Sequence, residues 1–182
     1  MINLPDTKMC HLEFQDEWLT IVLDNHKKRN ALSSELIDEL MEVLDLVRDE
    51  KIVRGILIKG QNDIFCSGAD LDELHQITYN KSRSERMTIG MSTKIGHLLN
   101  LIDAIPKLTV SVIEGPCIAG GFGMACATDV IITTHDSVFR LSETRLGLTP
   151  SQIAPYVLRK IDYSKARLLM LLGDSIDGKI AY

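Results

Sequence analysis

No stretch of this 182-residue chain stays apolar over membrane-spanning length, and no linker or low-complexity tract interrupts it, so one domain over residues 1–182 is expected. Basic residues are in the minority. Twenty Lys and Arg against 25 Asp and Glu leave a net charge of −5, which argues against a nucleic-acid partner, with Lys27-Lys28-Arg29 as a local exception. The four cysteines (Cys10, Cys66, Cys117 and Cys126) form no C-x-x-C pair and no zinc spacing. Cys66, Cys117 and Cys126 sit among apolar or small residues, where a thiol behaves as a small hydrophobe. His11, His26, His75, His97 and His135 lack metal-ligand spacing, and nothing beside Asp70-Leu-Asp72 completes a ligand set, so no metal is expected. Nucleotide signatures are missing too: there is no G-x-x-x-x-G-K-[ST], and Cys126 stands where a third glycine would follow Gly121-Phe-Gly123. No G-x-S-x-G supports Ser67 as a hydrolase nucleophile. Met1-Ile-Asn-Leu-Pro-Asp6 has neither the basic start nor the apolar run of a secretory signal, so a cytoplasmic protein without membrane partners is expected.

What is there is the 45% hydrophobic, 25% charged mixture of an ordinary globular protein, patterned into strands and helices. Residues 10–14 and 18–23 predict a hairpin around Gln15-Asp16-Glu17, and residues 24–30 a polar, basic loop. Ser33 or Ser34 can cap a helix with Leu36, Ile37, Leu40, Val43, Leu44 and Val47 on one face, ended by Asp49-Glu50-Lys51. Residues 53–59 read as a core strand. Residues 70–90 are polar around Asn80-Lys-Ser-Arg-Ser-Glu-Arg86 and read either as a solvated helix or loop or as a lid over a neighbouring site. Ile95, Leu98, Leu99 and Ile102 predict a helix that Pro106 ends. Residues 108–113, 129–133 and 137–141 predict strands, and residues 120–127, 152–161 and 165–172 helices, the last stopped by Gly173. The expected fold class is mixed α/β.

Two glycine-bearing segments carry the chemistry. Phe65-Cys-Ser-Gly-Ala-Asp-Leu71 follows the β-prone Ile56-Leu57-Ile58, and Glu114-Gly-Pro-Cys-Ile-Ala-Gly-Gly-Phe-Gly-Met124 follows Val110-Ser-Val-Ile113. Glycine turns a chain sharply and leaves N–H groups uncovered. Two such turns facing each other can aim two backbone donors at one oxygen, the geometry of an oxyanion hole. Glu143, in Phe139-Arg-Leu-Ser-Glu-Thr-Arg-Leu-Gly-Leu-Thr-Pro150, adds a carboxylate. Two donors and one acid/base group suggest enolate chemistry on a carbonyl compound.

With these motifs the chain resembles the crotonase, or enoyl-CoA hydratase/isomerase, superfamily from about Leu12 onward. Lys27-Lys-Arg-Asn-Ala-Leu32 is similar to the family's coenzyme A-binding loop, the two glycine segments to its two oxyanion turns, and Asp129 and Leu146-Gly-Leu-Thr-Pro150 to further family patterns. The resemblance implies a crotonase-type β-β-α spiral that acts on an acyl-CoA thioester without a cofactor, coenzyme A being part of the substrate. It implies Ala69 and Gly120 as the N–H donors and Glu143 as the acid/base. Lys27, Arg29, Ala31, Ser67, Gly68, Asp70, Leu71, Gly121, Ser142 and Ser151 are the substrate-binding residues it implies.

The best-known hydratases of the family present two glutamates; Gly123 holds one of those places here and Glu143 the other. One carboxylate suits hydration or double-bond isomerisation. Residues 141–157 resemble the bacterial enoyl-CoA or methylglutaconyl-CoA hydratase branch, so hydration is the first expectation, with isomerisation or a non-catalytic acyl-CoA-binding homologue as alternatives. Arg145 is read as a surface ion-pair partner or as a contact for a second substrate carboxylate. The family further implies a homo-oligomer, a trimer or dimer of trimers, and C-terminal helices beyond Gly173-Asp-Ser-Ile-Asp-Gly-Lys-Ile-Ala-Tyr182. Without those helices, weakened activity and altered assembly are expected.

Overall fold

Asp16 and Glu17 both take positive φ, 51° and 65°, and such two-residue turns match the twist of the strands they join. They connect β1 (Cys10–Gln15) to β2 (Trp18–Leu23) as an antiparallel pair, with Cys10 opposite Leu23 and Gln15 opposite Trp18. The computed structural model describes residues 2–74 and 84–182, so residues 75–83 of the polar 70–90 segment, and any lid there, lie outside the described residues. Strand β3 (Gly55–Gly60) pairs parallel with β2, and β4 (Leu108–Ile113) pairs parallel with β3. Gly55 starts β3 because the Trp18 ring covers it: a Cβ there would lie 2.5 Å from the indole.

A second, smaller layer begins right after β4. The short β5 (Pro116–Ile118) leaves the large sheet, β6 (Val130–Thr133) rejoins it beside β4, and β7 (Val138–Arg140) pairs parallel with β5. The last strand, β8 (Ser175–Asp177), pairs antiparallel with β7. Strand orders are β1-β2-β3-β4-β6 in the large sheet and β5-β7-β8 in the small one. Strands β5 and β8, three residues each, lack the length for a period-two signature and were not anticipated; residues 175–177 pair as a strand before the last helical turn.

Helices fill the space between layers. In α1 (Ser34–Val47) the cap is Ser33, whose hydroxyl accepts the Leu36 N–H at 3.2 Å, and the six expected apolar residues are buried. Helix α2 (Ser84–Ala104) buries Leu98, Leu99 and Ile102 as expected. All eight residues of α3 (Gly120–Ala127) are buried. Then come α4 (Ala154–Lys160), α5 (Tyr163–Leu172) and the final turn α6 (Gly178–Ala181). Among the described residues, no helix is long and apolar enough to cross a membrane.

Asp129 ties this frame together where α3 hands over to β6. Its carboxylate accepts both the backbone N–H and the hydroxyl of Thr109 at 2.8 Å, and its own N–H donates back to the Thr109 hydroxyl at 2.9 Å. Thr109 is buried at the start of β4, so an unpaired hydroxyl there is costly. Asp129→Ala should lower unfolding stability by about 1–2 kcal/mol in urea titration. An unchanged midpoint would show the tie to be incidental.

Candidate active site

The first glycine turn is stitched to its neighbours on both sides. After β3 the chain reverses through Asn62 and Asp63, both at positive φ, and the N–H groups of Phe65 and Cys66 donate to the Pro116 carbonyl at 3.1 Å. The Ile118 N–H returns a bond to the Cys66 carbonyl at 2.9 Å, so Cys66 and Cys117 form a parallel bridge between the two turns. On the other side Leu32 bridges Ala69: the Leu32 N–H donates to the Gly68 carbonyl and the Asp70 N–H to the Leu32 carbonyl. In this bridge Leu32 bonds through its own N–H and carbonyl, while the first turn bonds through Gly68 and Asp70 on either side of Ala69. The Ala69 N–H is thereby turned outward.

The second turn supplies the other donor. Ala119 takes φ 49° and ψ −118°, a conformation unusual for a residue with a Cβ, and its N–H is anchored to the Arg140 carbonyl at 2.8 Å. Gly120 opens α3, so its N–H has no partner within the helix. The two turns touch directly. A Cβ on Gly121 would lie 2.6–2.9 Å from the β-carbon, carbonyl and sulfur of Cys66, and a Cβ on Gly68 (φ 92°) would lie 2.9 Å from that of Ala119. The Cys66 sulfur also accepts the Gly68 N–H at 3.4 Å.

Glu143 arrives from the end of β7. The chain leaves the strand at Arg140 and enters a short 3₁₀ turn, Glu143–Leu146, closed by Gly147 at φ 73°. The carboxyl is half-buried, and its Oε2 is buried with no hydrogen-bond partner among the described residues. Burial pushes its pKa above the usual 4.5, and its own backbone N–H offsets part of that rise.

A cleft of about 440 Å³ gathers these groups. Ala69, Gly120 and Glu143 line it, together with Ser67, Leu71, Ser142 and Ser151 of the expected set. The other expected residues lie behind or beside the lining. Gly68 shapes the first turn, Gly121 faces Cys66, and Ala31 is buried under the 24–30 loop. Lys27 and Arg29 are exposed on that loop, whose carbonyls at Lys28 and Arg29 accept the Ser67 hydroxyl and N–H at 3.2 Å. Buried Asn30 (φ 55°) pins the loop by donating to the Ile64 carbonyl at 2.7 Å and accepting the Asn25 N–H at 3.0 Å.

The Asp70 carboxylate is 2% exposed and fully engaged: it takes Lys28 Nζ at 2.7 Å and the N–H groups of Asp72 and Glu73. Burial raises its pKa, but Lys28 and the two amides outweigh that and hold it below the usual carboxylate range. Arg145 lines the cleft edge and pairs with Asp174 at 2.9 Å.

The sequence reading gave no site role to several lining residues, among them Met91 and Ser92 on α2, and Gln152 and Ile153 just before α4. Met91 continues the helical stripe of Ile95, Leu98 and Ile102, which is the signal that could have found it. Ile153 explains Gly123. A Cβ on Gly123 would lie 2.2 Å from the Ile153 side chain, so the place of a second carboxylate is packed with hydrocarbon. The cysteines are free and buried; burial lifts Cys66 and Cys126 to about 12 and Cys10 to about 11, which leaves them as inert thiols. Among the described residues, no cluster of His, Cys, Asp or Glu is placed to hold a metal ion.

Known proteins resemble this chain in sequence and fold. The family model for enoyl-CoA hydratase/isomerase matches residues 13–181. The chain is 34% identical over 157 residues to Enoyl-CoA hydratase AKT6-1 of Alternaria alternata, which covers 86% of this chain and 49% of that protein. It is 29% identical over 180 residues to the human mitochondrial methylglutaconyl-CoA hydratase, covering 97% of this chain and 51% of the relative. The solved structure of Pseudomonas aeruginosa AtuE matches with a TM-score of 0.91 at 36% identity, over 96% of this chain and 66% of that one. The chain thus spans about half the length of these two sequence relatives.

The packing at Gly123 makes a direct prediction. Gly123→Glu should cost about 3 kcal/mol or more of stability, through overpacking and a buried charge, seen as a lowered unfolding midpoint. A Gly123→Glu protein of undiminished stability would show that Ile153 yields readily.

Proposed function

The chain belongs to the enoyl-CoA hydratase/isomerase family and has its crotonase-type α/β spiral, and on that premise we propose that it hydrates an enoyl-CoA thioester in the cleft between its two glycine turns. The observation that carries this reading is the buried, unpartnered carboxyl oxygen of Glu143 in the same cleft as the Ala69 and Gly120 amides. The two N–H groups hold the thioester oxygen. A thioester delocalises poorly, so conjugate addition pushes charge onto that oxygen, and each donor there is worth ~10²–10³ in rate. Glu143 takes a proton from water as the water oxygen bonds to Cβ. The Cα=Cβ electrons move into the enolate, Glu143 returns the proton to Cα, and the thioester carbonyl re-forms. Atoms balance with water as the sole co-reactant. Lys27 and Arg29, exposed beside Ser67, suit the phosphates of coenzyme A.

Isomerisation is the second reading, favoured by Ile153 filling the space beside Gly123. Glu143 would then move one proton between Cα and Cγ through the same enolate. Loss of conjugated enoyl absorbance with crotonyl-CoA supports hydration, whereas its appearance from a 3-enoyl-CoA supports isomerisation.

Glu143→Gln should lower turnover by ~10²–10⁴-fold while acyl-CoA affinity stays near that of the parent. Unchanged turnover would remove Glu143 from the reaction. As a base, Glu143 works ionised, so kcat/KM should fall with decreasing pH through an apparent pKa above the 4.5 of an ordinary glutamate. The stability effect has the opposite sense. A carboxyl whose folded pKa is raised stabilises the fold when protonated and loses that contribution as pH rises through the folded pKa. Glu143→Gln should therefore melt no lower than the parent at neutral pH, and a clear drop in Tm would contradict the burial argument.

A further inference from the structure

One wall of the cleft comes from α2 and the turn that opens α4. Met91, Ile95 and Ile153 make it largely apolar, and beside Ser151 a pair of polar side chains, Ser92 and Gln152, is set into it. Gln152 Nε2 donates to Ser92 Oγ, joining the two segments across the wall. Gln152 Cγ packs over Gly96, 3.8 Å from where a Cβ would stand, an ordinary contact distance. Both side chains are half-buried and both line the cleft.

Counting their hydrogen-bonding capacity shows what is left over. The Ser92–Gln152 bond uses one amide N–H and one hydroxyl lone pair. Among the described residues, the hydroxyl proton of Ser92, the second N–H of Gln152 and its amide oxygen have no further partner. Both side chains face the cleft, so a ligand that displaces water from them loses affinity unless it brings a matching polar group. Charge decides which group. Arg145 is the basic side chain among the described lining residues, and Asp174 already holds it at 2.9 Å, while Glu143 contributes a carboxyl to the same cleft. Among the described lining residues, a carboxylate on the acyl chain would face Glu143 without a free cation. A hydroxyl or oxo group would meet both a donor and an acceptor at no charge penalty.

We propose that Ser92 and Gln152 form a specificity site for an uncharged hydroxyl or oxo group on the acyl chain, beyond the carbons that react. The inference rests on the acyl-thioester reading of the cleft. It is tested with three coenzyme A thioesters of equal chain length, one unsubstituted, one with a distal hydroxyl or oxo group and one with a distal carboxylate. Binding of the saturated forms and kcat/KM of the enoyl forms are measured for each. The parent should prefer the hydroxyl or oxo compound about 3–10-fold, the span of one neutral hydrogen bond. Ser92→Ala and Gln152→Leu should each bring that ratio close to one, and Ser92→Thr, which keeps the hydroxyl, should retain it. Equal preference in the parent, preference for the carboxylate, or variants that leave the ratio untouched would overturn the proposal. A parent that binds none of the three overturns the thioester reading and this site with it; binding without discrimination overturns this site alone.

Discussion

The contact between two backbone turns, Cys66 against Gly121 and Gly68 against Ala119, is the constraint on which the rest of the site depends. Neither glycine has room for a methyl group, so the spacing of the turns is set by the close approach of each glycine backbone to a short side chain, Cys66 or Ala119, and the carbonyl beside it. The bridge from Cys66 to Cys117 and that from Leu32 to Ala69 extend this contact into both flanking segments. Ala119 adds strain, since a non-glycine residue at φ 49° and ψ −118° stores on the order of 1–3 kcal/mol. The Arg140 carbonyl and the packed layer around it hold that conformation in place. In the proposed reaction, amides fixed in this way would need no reorganisation as charge develops between them, the condition under which electrostatic stabilisation is strongest.

Glu143 follows the opposite logic. Among the described residues nothing satisfies its Oε2, and its burial opposes ionisation, so the carboxyl is held toward its protonated form at some expense to the fold. Asp70, a more deeply buried carboxylate a short way along the chain from the first donor, shows the contrast. Lys28 and two amides keep it ionised, and it ties the 24–30 loop to the first turn. Two carboxyl groups flank one site in different environments, one suited to structure and one to proton transfer.

Residues whose neighbours in sequence are also their neighbours in space were legible before any coordinates. The glycine turns, the Ser33-capped helix and the Asp16-Glu17 hairpin are local signals, and each stands where it was expected. Strands β5 and β8 were not legible, because three residues fix no period and their pairing partners lie far along the chain. The same reason hid Ile153 from Gly123 and Gln152 from Ser92: each pair joins distant helices, and no spacing within one segment announces it. Asp70 was read as part of a substrate path, yet its carboxylate is taken up by Lys28, an assignment that a run of three basic residues does not make by itself. The segments that hold Glu143, Ala69 and Gly120 were legible in the sequence, while what surrounds them emerged from tertiary packing.

The central claim is that two main-chain amides and one carboxyl act on a single acyl group. A crystal structure of the protein with a saturated, unreactive acyl-CoA tests it most directly. The account predicts the thioester oxygen at about 2.7–3.1 Å from both Ala69 N and Gly120 N, with the Glu143 carboxyl beside the acyl α- and β-carbons. A thioester oxygen held by neither amide, or an acyl chain seated away from Glu143, would contradict it.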